Sequence, residues 1–430
     1  MDPASRPDIT VGIIGMGEMG NMYARRLSAA GWRVYACDKA EKYEELVEQY
    51  AENKNVRIYK DGRHVSRLSD FILYSVEAEA IGRIVGTYGP STKQGAIVGG
   101  QTSCKEIEVA AFREHLPDDV QIVSCHSLHG PKVDPKGQPL VLIQERASTE
   151  SFALVERILS CFQSKHVYLS AQQHDRITAD TQAVTHAAFL SMGTAWRANN
   201  QFPWEINRYV GGIENVKCNI MLRIYSNKWH VYAGLAILNS WAKRQIRQYA
   251  ESVTELFKLM LGGHREELEK RIKTAGAAVF GSVQNQRELL LRDDVLDRFS
   301  LGNVPKERTP NNHLSLLAMV DCWWKLGIVP YDHMICSTPP FRLWLGVTEY
   351  LFRKPQLLDE VINTAIEDNT FRSDDLEFTF AARAWSDCVS FGDFASYQNR
   401  FESIQKYFEP RFPEATRIGN EMIRVILEKT

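Results

Sequence analysis

Hydrophobic and polar positions in the first part of the chain follow the rhythm of a domain built from alternating strands and helices. From Ile9 to about Ser170, short β-branched runs are separated by stretches whose apolar residues recur with a helical period. This alternation predicts a parallel sheet that is covered by helices. The predicted strands are ITVGII, WRVYACD, VRIYK, FILYSV, AIVGG, VQIVSC, PLVLI and HVYLS.

After Ser170 the pattern changes to long helices with almost no strand signal. The stretches QQHDRITADTQAVTHAAFLSMGTAWRA and NVKCNIMLRIYSNKWHVYAGLAIL are apolar on nearly every side. Helices of this kind lie inside a bundle or at a subunit interface. A later stretch rich in charge, proline and asparagine predicts a linker. We therefore predict a sheet domain at 1–170, a helical domain at 171–291, a linker at 292–312 and a C-terminal helical extension at 313–430.

The C-terminal extension contains a weak internal repeat. HLSLLAMVDCWWKLGI aligns with HDRITADTQAVTHAAF, with histidine at the first position and alanine at the sixth. Asp321 and Lys325 then replace Gln182 and His186 of the first copy. We expect this degenerate second copy, which lacks the polar pair, to be structural.

Composition narrows the class of protein. The 51 Lys and Arg residues nearly balance the 53 Asp and Glu residues, so nucleic acid is not an expected partner. The eight cysteines lie singly, without CxxC spacing, which predicts reduced thiols and no metal site. No apolar stretch approaches the ~20 residues of a membrane span, and the first residues show no signal-peptide pattern. We therefore expect a cytoplasmic protein.

The segment VGIIGMGEMGNMYARRL carries a glycine fingerprint at a strand-to-helix turn. Gly15, Gly17 and Gly20 have G-x-G-x-x-G spacing. The first glycine permits the tight turn, the second lets the backbone approach a pyrophosphate, and the third lets helix and strand pack closely. The helix N-terminus attracts the phosphates. The pattern predicts a Rossmann dinucleotide-binding domain whose phosphate loop comprises Gly15, Met16, Gly17, Glu18, Met19 and Gly20.

Asp38 ends the second predicted strand and is followed directly by Lys39. A carboxylate at this place binds the ribose hydroxyls of NAD. It would repel the 2′-phosphate of NADP, whereas the neighbouring cation would pair with that phosphate. The two side chains therefore point to different nicotinamide dinucleotides, and the residue types leave the choice open.

Further candidate residues stand at the carboxyl ends of predicted strands, where open α/β sheets bind ligands. We expect Ser75, Val76 and Gln101 to line the dinucleotide. Oxidation of an alcohol by hydride transfer needs a base, and histidine has a suitable pKa. His126, which closes VQIVSCH, is the candidate base. His129 is a rival, and a structural histidine at a strand end is the alternative interpretation.

Several motifs, in order along the chain, resemble the prephenate dehydrogenases of tyrosine biosynthesis. They are Gln-Thr-Ser-Cys-Lys, His-Ser-Leu-His-Gly-Pro, His-Asp-x-x-x-Ala-x-x-Gln-Ala-x-x-His, and Met-Leu-Arg inside an apolar helix. The segments TADTQAVTHAAFLSMG, RIYSNKWHVYAGLA and HMICSTP are closely similar to the fungal members. The resemblance covers nearly the whole chain.

The resemblance implies roles for individual residues. His126 matches the base that takes the proton of the substrate's ring hydroxyl, which favours it over His129. Arg223 matches the arginine that clamps a substrate carboxylate, and a guanidinium on an apolar helix is costly unless it meets an anion. Pairing with a protein carboxylate is the structural alternative for Arg223. The other matches are Ser103, which hydrogen-bonds the hydroxyl, and the substrate-binding residues Lys105, Gln182 and His186.

As a member of this family, the protein is expected to oxidise prephenate to 4-hydroxyphenylpyruvate and CO2, with NADP as in fungal enzymes. It is also expected to form a homodimer through the helical domain, or to replace the partner by its own C-terminal extension as an intrachain pseudo-dimer. Arogenate is an alternative substrate. A 3-hydroxyacid dehydrogenase is disfavoured because TADTQAVTHAAF contains no lysine, and a non-catalytic NADPH-sensing regulator because the base and the clamp are both present.

Overall fold

The computed structural model describes residues 9–131, 133–205, 210–281, 288–301 and 311–428. The chain folds into two compact units, Met1–Ile177 and Thr178–Thr430. The first is built on a sheet and the second on helices, which confirms the predicted fold class.

The first unit contains an eight-stranded sheet. Its strands are β1 (Thr10–Ile14), β2 (Arg33–Cys37), β3 (Val56–Ile58), β4 (Phe71–Tyr74), β5 (Ile97–Gly100), β6 (Gln121–Ser127), β7 (Pro139–Arg146) and β8 (Lys165–Tyr168). They are adjacent in the order β3-β2-β1-β4-β5-β6-β7-β8. Each of the eight predicted segments forms one strand. The expectation of a wholly parallel sheet is wrong at one place, because β7 runs antiparallel to β6.

Helices cover both faces of this sheet. They are α1 (Glu18–Ala29), α2 (Tyr43–Gln49), α3 (Gly62–Leu68), α4 (Ile81–Tyr88), α5 (Lys105–His115), α6 (Thr149–Leu159) and α7 (Ala171–Thr178). Successive strand residues point to opposite faces. Val11 and Ile13 join the core that α1 and α6 cover, whereas Ile72 and Tyr74 join the core that α4 and α5 cover.

The first unit ends later than the boundary predicted at residue 170. The carboxylate of Asp175 on α7 accepts hydrogen bonds from the backbone N–H groups of Lys105 and Glu106, at the N-terminus of α5. These bonds tie α7 to the sheet domain, although its periodicity is that of the helical domain.

The second unit is helical. Its helices are α8 (Val184–Asn199), α9 (Gly212–Tyr225), α10 (His230–Leu238), α11 (Ser240–Leu261), α12 (Arg265–Phe280), α13 (Asp293–Phe299), α14 (Leu314–Leu326), α15 (Pro339–Phe352), α16 (Pro355–Glu367), α17 (Arg372–Phe391), α18 (Phe394–Phe408) and α19 (Phe412–Glu428). A π-helical turn, Ala179–Ala183, precedes α8. The predicted helix over 215–238 is interrupted, because Ser226 and Asn227 hydrogen-bond back to the Arg223 oxygen at the end of α9.

The region predicted as a linker, residues 292–312, contains α13. Its residues 302–310 lie outside the described part of the chain. The helices after it do not form a separate unit, since α17 packs along α8 and α11, and α14 packs against α11 and α12.

Asp321 and Lys325, the residues that replace the polar pair in the repeat, have structural partners. The buried Asp321 carboxylate accepts two hydrogen bonds of 2.7 Å from the Arg271 guanidinium. Lys325 donates to Glu255 at 2.6 Å. These contacts join α11, α12 and α14.

All eight cysteines are unpaired thiols, as expected, and seven of them are buried. Within the described residues, none of the helices combines the length and hydropathy needed to cross a bilayer.

Candidate active site

The glycine loop lies between β1 and α1. Gly15 has a φ of +100°, and a Cβ there would lie 2.3 Å from the backbone oxygen of Ser75. A Cβ on Gly20 would lie 2.0 Å from the Gly15 oxygen. At Gly17, the N-cap of α1, no atom of the described residues lies within 4 Å of the Cβ position. Two glycines therefore make room for close packing, and the third leaves the helix N-terminus open to an anion.

The other predicted side chains around this loop differ in exposure. Met16 is buried and Met19 packs partly against the sheet core, whereas Glu18 is exposed. Val76 packs partly against the opposite core and lies beside the Gly15 turn. The two methionines and the valine therefore shape the loop, and their contact with a dinucleotide stays a prediction.

Asp38 turns its carboxylate toward the glycine loop. Oδ2 accepts a hydrogen bond from the Met16 N–H, and Oδ1 accepts one from the Lys39 N–H, both at 2.7 Å. The Lys42 ammonium lies 3.8 Å from Oδ2. The carboxylate therefore holds the loop backbone, while the Lys39 side chain is exposed at the place where this fold binds the adenosine ribose.

Ser75 and Gln101 meet at the ends of β4 and β5. The Ser75 hydroxyl donates to Gln101 Oε1 at 3.1 Å. The Gln101 amide nitrogen is buried and has no hydrogen-bond partner among the described residues. Because an unsatisfied buried donor is costly, this nitrogen marks a place where a ligand acceptor would be stabilised.

Lys105 lies inside the protein, which corrects the predicted contact with substrate. Its ammonium donates to the oxygens of Gly100, at 3.0 Å, and Cys125, at 2.8 Å, and to Glu108 Oε1, at 2.8 Å. Both charged side chains of the Lys105–Glu108 pair are 0% exposed. Glu108 also accepts hydrogen bonds from the N–H and hydroxyl of Thr102. The three ammonium donors are thus used within the protein, and Lys105 joins the loop after β5 to β6.

His126 is at the end of β6 and retains some exposed surface. Its Nδ1 lies 2.8 Å from Nε2 of His174. Nδ1 of His174 lies 2.8 Å from Oδ1 of Asp175, whose two oxygens accept from the Lys105 and Glu106 N–H groups. The candidate base therefore belongs to a line of hydrogen bonds that begins at the N-terminus of α5.

Burial controls the charge of these histidines. Desolvation, together with the neighbouring His174, holds the pKa of His126 well below 6.5. Desolvation likewise holds the pKa of His174 well below 6.5. Both imidazoles are therefore neutral at pH 7, and a neutral imidazole can accept a proton.

The rival histidine lies apart from this line. His129 Nδ1 is 3.0 Å from the oxygen of its neighbour Gly130, and its Nε2 has no partner among the described residues. Ser103, the predicted partner of the substrate hydroxyl, lies half-buried in the loop before α5. Hydrogen bonding to two further buried residues favours His126 over His129 as the base.

In the second unit, Gln182 and His186 share one side of the α8 region. Gln182 lies in the π-helical turn and His186 one turn later. Within 178–191 these two residues are partly exposed, whereas the others are buried. Burial lowers the pKa of His186 to about 3, so this imidazole is neutral. π-Helical turns are frequent at functional sites.

Arg223 lies on α9 between the buried Leu222 and Ile224. Burial lowers the pKa of its guanidinium, and no carboxylate of the described residues forms an ion pair with it. Tyr232 connects it to His186: the Tyr232 ring packs edge-on against the imidazole, with centroids 4.7 Å apart, and its hydroxyl lies in the field of the Arg223 charge. A half-buried cation without a protein carboxylate is suited to bind an anionic ligand.

Comparison with known proteins places this geometry in a family. The chain is 62% identical over 421 residues to the probable NADP(+) prephenate dehydrogenase of Schizosaccharomyces pombe, in an alignment that covers 97% of each chain. This chain belongs to the prephenate dehydrogenase family. The NADP(+) prephenate dehydrogenase of Saccharomyces cerevisiae is 56% identical over 97% of this chain and 94% of its own. The resemblance stated from the motifs is therefore confirmed.

Family models match both parts of this prephenate dehydrogenase family member. Residues 10–106 match the NAD binding domain of 6-phosphogluconate dehydrogenase, and residues 183–428 match a 6-phosphogluconate dehydrogenase C-terminal domain. A solved structure of prephenate dehydrogenase from A. aeolicus, in complex with hydroxyphenyl propionate and NAD+, is similar over 63% of this chain and 96% of its own, with 19% identity and a TM-score of 0.49.

Sequence reasoning missed three residues near the candidate base. His174 and Asp175 continue the hydrogen bonds of His126, and Glu108 neutralises Lys105. The adjacent His-Asp pair at the start of an apolar helix was the available signal, because such groups are rarely buried without a partner. The α5 sequence carries no comparable signal for Glu108.

Proposed function

We propose that this protein is an NADP-dependent prephenate dehydrogenase that forms 4-hydroxyphenylpyruvate in tyrosine biosynthesis. The observation that carries the proposal is the neutral His126 at the end of β6, held by a second buried histidine. Such an imidazole is suited to take the proton of a hydroxyl as hydride leaves the same carbon. The two similar fungal enzymes support the choice of substrate and cofactor.

His126 takes the proton of the ring hydroxyl, and NADP+, when bound, supplies the hydride acceptor. The carbonyl that forms is conjugated through the ring to the carbon that bears the carboxylate. It receives the electron pair that remains when CO2 departs, and the ring becomes aromatic. His126 then returns the proton to the phenolate oxygen, so the base ends the cycle neutral. Ser103 would hydrogen-bond the same oxygen.

Residues of the first unit fit a dinucleotide. The α1 N-terminus at Gly17 is open, and the buried Gln101 nitrogen lacks an acceptor. Asp38 is engaged with two backbone N–H groups, which leaves Lys39 and Lys42 as the charges available to a ribose substituent. We assign the 2′-phosphate of NADP to Lys39, with support from Lys42, because a cation stabilises a phosphate that a carboxylate would repel.

In the second unit, the side chains assigned to substrate are those of Arg223, Gln182 and His186. Prephenate carries two carboxylates, and the planar guanidinium suits one of them. The neutral His186 and the Gln182 amide offer hydrogen bonds without adding charge. Binding energy from these contacts positions the ring for hydride and proton transfer.

The decisive experiment follows nicotinamide reduction by absorbance, with purified protein, prephenate or arogenate, and NADP or NAD. We expect reduction that depends on prephenate and prefers NADP. Turnover with arogenate alone would replace the substrate in this proposal. Dinucleotide binding without turnover of either substrate would refute the enzyme function and favour a sensor.

We also propose that the protein is cytoplasmic and acts as an intrachain pseudo-dimer. Within the second unit, α17 covers α8, while α15 and α19 cover α9, whose residues are nearly all buried. These contacts support a second unit that needs no partner chain, and the unpaired thiols support a reducing compartment. Sedimentation should show an active monomer, and cell fractionation should recover it with cytosolic markers. A dimer that loses activity on dilution would contradict the pseudo-dimer.

A further inference from the structure

A buried imidazole and carboxylate stand behind His126, and the proposed reaction uses neither. His174 and Asp175 are adjacent on α7, with only 1% and 2% of their surface exposed. The two 2.8 Å contacts, His126 Nδ1 to His174 Nε2 and His174 Nδ1 to Asp175 Oδ1, form one continuous line. Three ionisable groups are therefore coupled within the first unit.

The far end of this line is held as an acceptor. Asp175 Oδ1 accepts from the Lys105 N–H at 2.7 Å, and Oδ2 accepts from the Glu106 N–H at 2.9 Å. Burial raises the pKa of Asp175, but both backbone donors lower it. Because each oxygen faces a backbone donor at a helix N-terminus, the site suits a carboxylate rather than a carboxylic acid.

The position of this carboxylate determines where each imidazole proton lies. A carboxylate only accepts hydrogen bonds, so His174 must donate through Nδ1. A neutral His174 then has its lone pair on Nε2 and accepts a hydrogen bond from the Nδ1–H of His126. The lone pair of His126 is consequently on Nε2, and no described residue forms a hydrogen bond with that nitrogen.

We propose that His174 and Asp175 are positioning residues that hold His126 in the tautomer whose Nε2 acts as the base, and that stabilise its positive charge during turnover. The inference rests on the proposed function and deepens it. When Nε2 takes the hydroxyl proton, His126 keeps its Nδ1–H bond to His174. The Asp175 carboxylate provides negative charge at the end of the line. No proton leaves Nδ1, and every hydrogen bond of the line is kept.

A structural role makes a different prediction for the same residues. Asp175 also binds the first N–H groups of α5, and His174 fills space beside β6. If they acted only as packing, their replacement would lower stability and dinucleotide affinity and leave the tautomer of His126 unchanged. The two roles can therefore be separated.

The first test is the His174→Leu variant, which removes both ring nitrogens and keeps an apolar side chain. We expect kcat to fall roughly 100-fold, within the range of general-base effects, and the KM for prephenate to change less than about threefold. Ser127→Ala is the matched control, because it breaks the buried 2.7 Å bond to Tyr23 one residue from His126. The control should keep near-normal kcat. A His174→Leu variant with normal kcat would overturn the proposal.

The second test is a nitrogen-15 NMR spectrum of histidine-labelled protein with NADP bound and no prephenate. The His126 signals are assigned by their loss in His126→Asn. In the native protein we expect a protonated Nδ1 and a bare Nε2. In His174→Leu, and in Asp175→Asn if the former does not fold, the proton should shift toward Nε2, which an isolated imidazole side chain prefers.

These outcomes separate the proposal from the function on which it rests. A native spectrum with the His126 proton on Nε2 would overturn the proposal even if prephenate turnover is normal. Failure of native protein to oxidise prephenate would refute the function, whereas the spectrum, recorded without substrate, would still decide the tautomer.

Discussion

Replacing Lys105 with methionine tests whether this residue supports the fold or contacts substrate. The variant keeps the length of the side chain and removes its charge. In the structure the ammonium makes three hydrogen bonds, to Glu108 and to the backbone oxygens of Gly100 and Cys125. Both Lys105 and Glu108 are fully buried. Lys105→Met would therefore leave a buried carboxylate without its counter-charge.

The expected cost follows from that burial. Removing one partner of a buried ion pair lowers the free energy of unfolding by about 3–5 kcal/mol. This is a large part of the ~5–15 kcal/mol that stabilises a typical protein. A second substitution, Glu108→Gln, removes the uncompensated charge and keeps the oxygen that accepts from Thr102. The double variant should recover about 1–2 kcal/mol relative to Lys105→Met.

The measurement is hydrogen exchange of β5 and β6 in increasing urea, which reports on the strands that Lys105 joins. It avoids treating a protein of two compact units as one unfolding transition. Prephenate KM of the folded fraction is measured in parallel. The reasoning would be refuted by a loss below about 1 kcal/mol accompanied by a steep rise in KM, because that result requires Lys105 to reach the substrate.

Four further predictions concern binding, pH and stability. Arg223→Leu should raise the KM for prephenate roughly 10–100-fold and change kcat much less, because its carboxylate contact exists in the ground and transition states alike. Lys39→Ala should weaken NADPH binding about tenfold in a fluorescence titration and leave NADH within about twofold. Since burial holds the pKa of His126 below 6.5, the base stays unprotonated at neutral pH, and kcat/KM should be flat down to about pH 6.5 and fall only at lower pH. Asp321→Ala should lower the unfolding free energy of the second unit by about 3 kcal/mol, because it leaves the Arg271 guanidinium without its buried partner.

Each of these predictions has a control and a contradicting result. Arg244→Leu and Lys54→Ala remove exposed cations and should change neither KM nor NADPH affinity. An equal fall of kcat and kcat/KM would contradict the role of Arg223, and equal loss of both dinucleotides would contradict that of Lys39. An acid limb centred above pH 6.5 would contradict a depressed His126 pKa. Lys325→Ala should cost less than about 1 kcal/mol because that ion pair is partly exposed.

Local patterns in the sequence determined the architecture of the first unit and much of its site. The β-branched runs matched all eight strands, because alternation and turn residues act over a few neighbouring positions. The glycine spacing identified the loop for the same reason. Gly15 and Gly20 have no room for a side chain, and Gly17 leaves the helix N-terminus open.

The tertiary structure decided what several of the predicted residues do. Lys105 matched a family motif, but its ammonium is consumed by Glu108 and two backbone oxygens. Asp38 matched the ribose carboxylate of NAD enzymes, yet it binds the backbone of the glycine loop. In both cases the residue type was read correctly, while its partners depended on how the chain folds back on itself.

The sequence by itself determined the family, the order of the elements and the identity of the candidate base, because these are carried by short segments. Only the tertiary structure showed that His174 and Asp175 stand behind His126 and that the C-terminal helices join the second unit. Those contacts link α7 to β6 and to the start of α5, segments far apart in the chain. Hydrogen bonds between distant segments leave no periodic trace in a sequence, so the environment that makes His126 a base becomes visible only when the chain is folded.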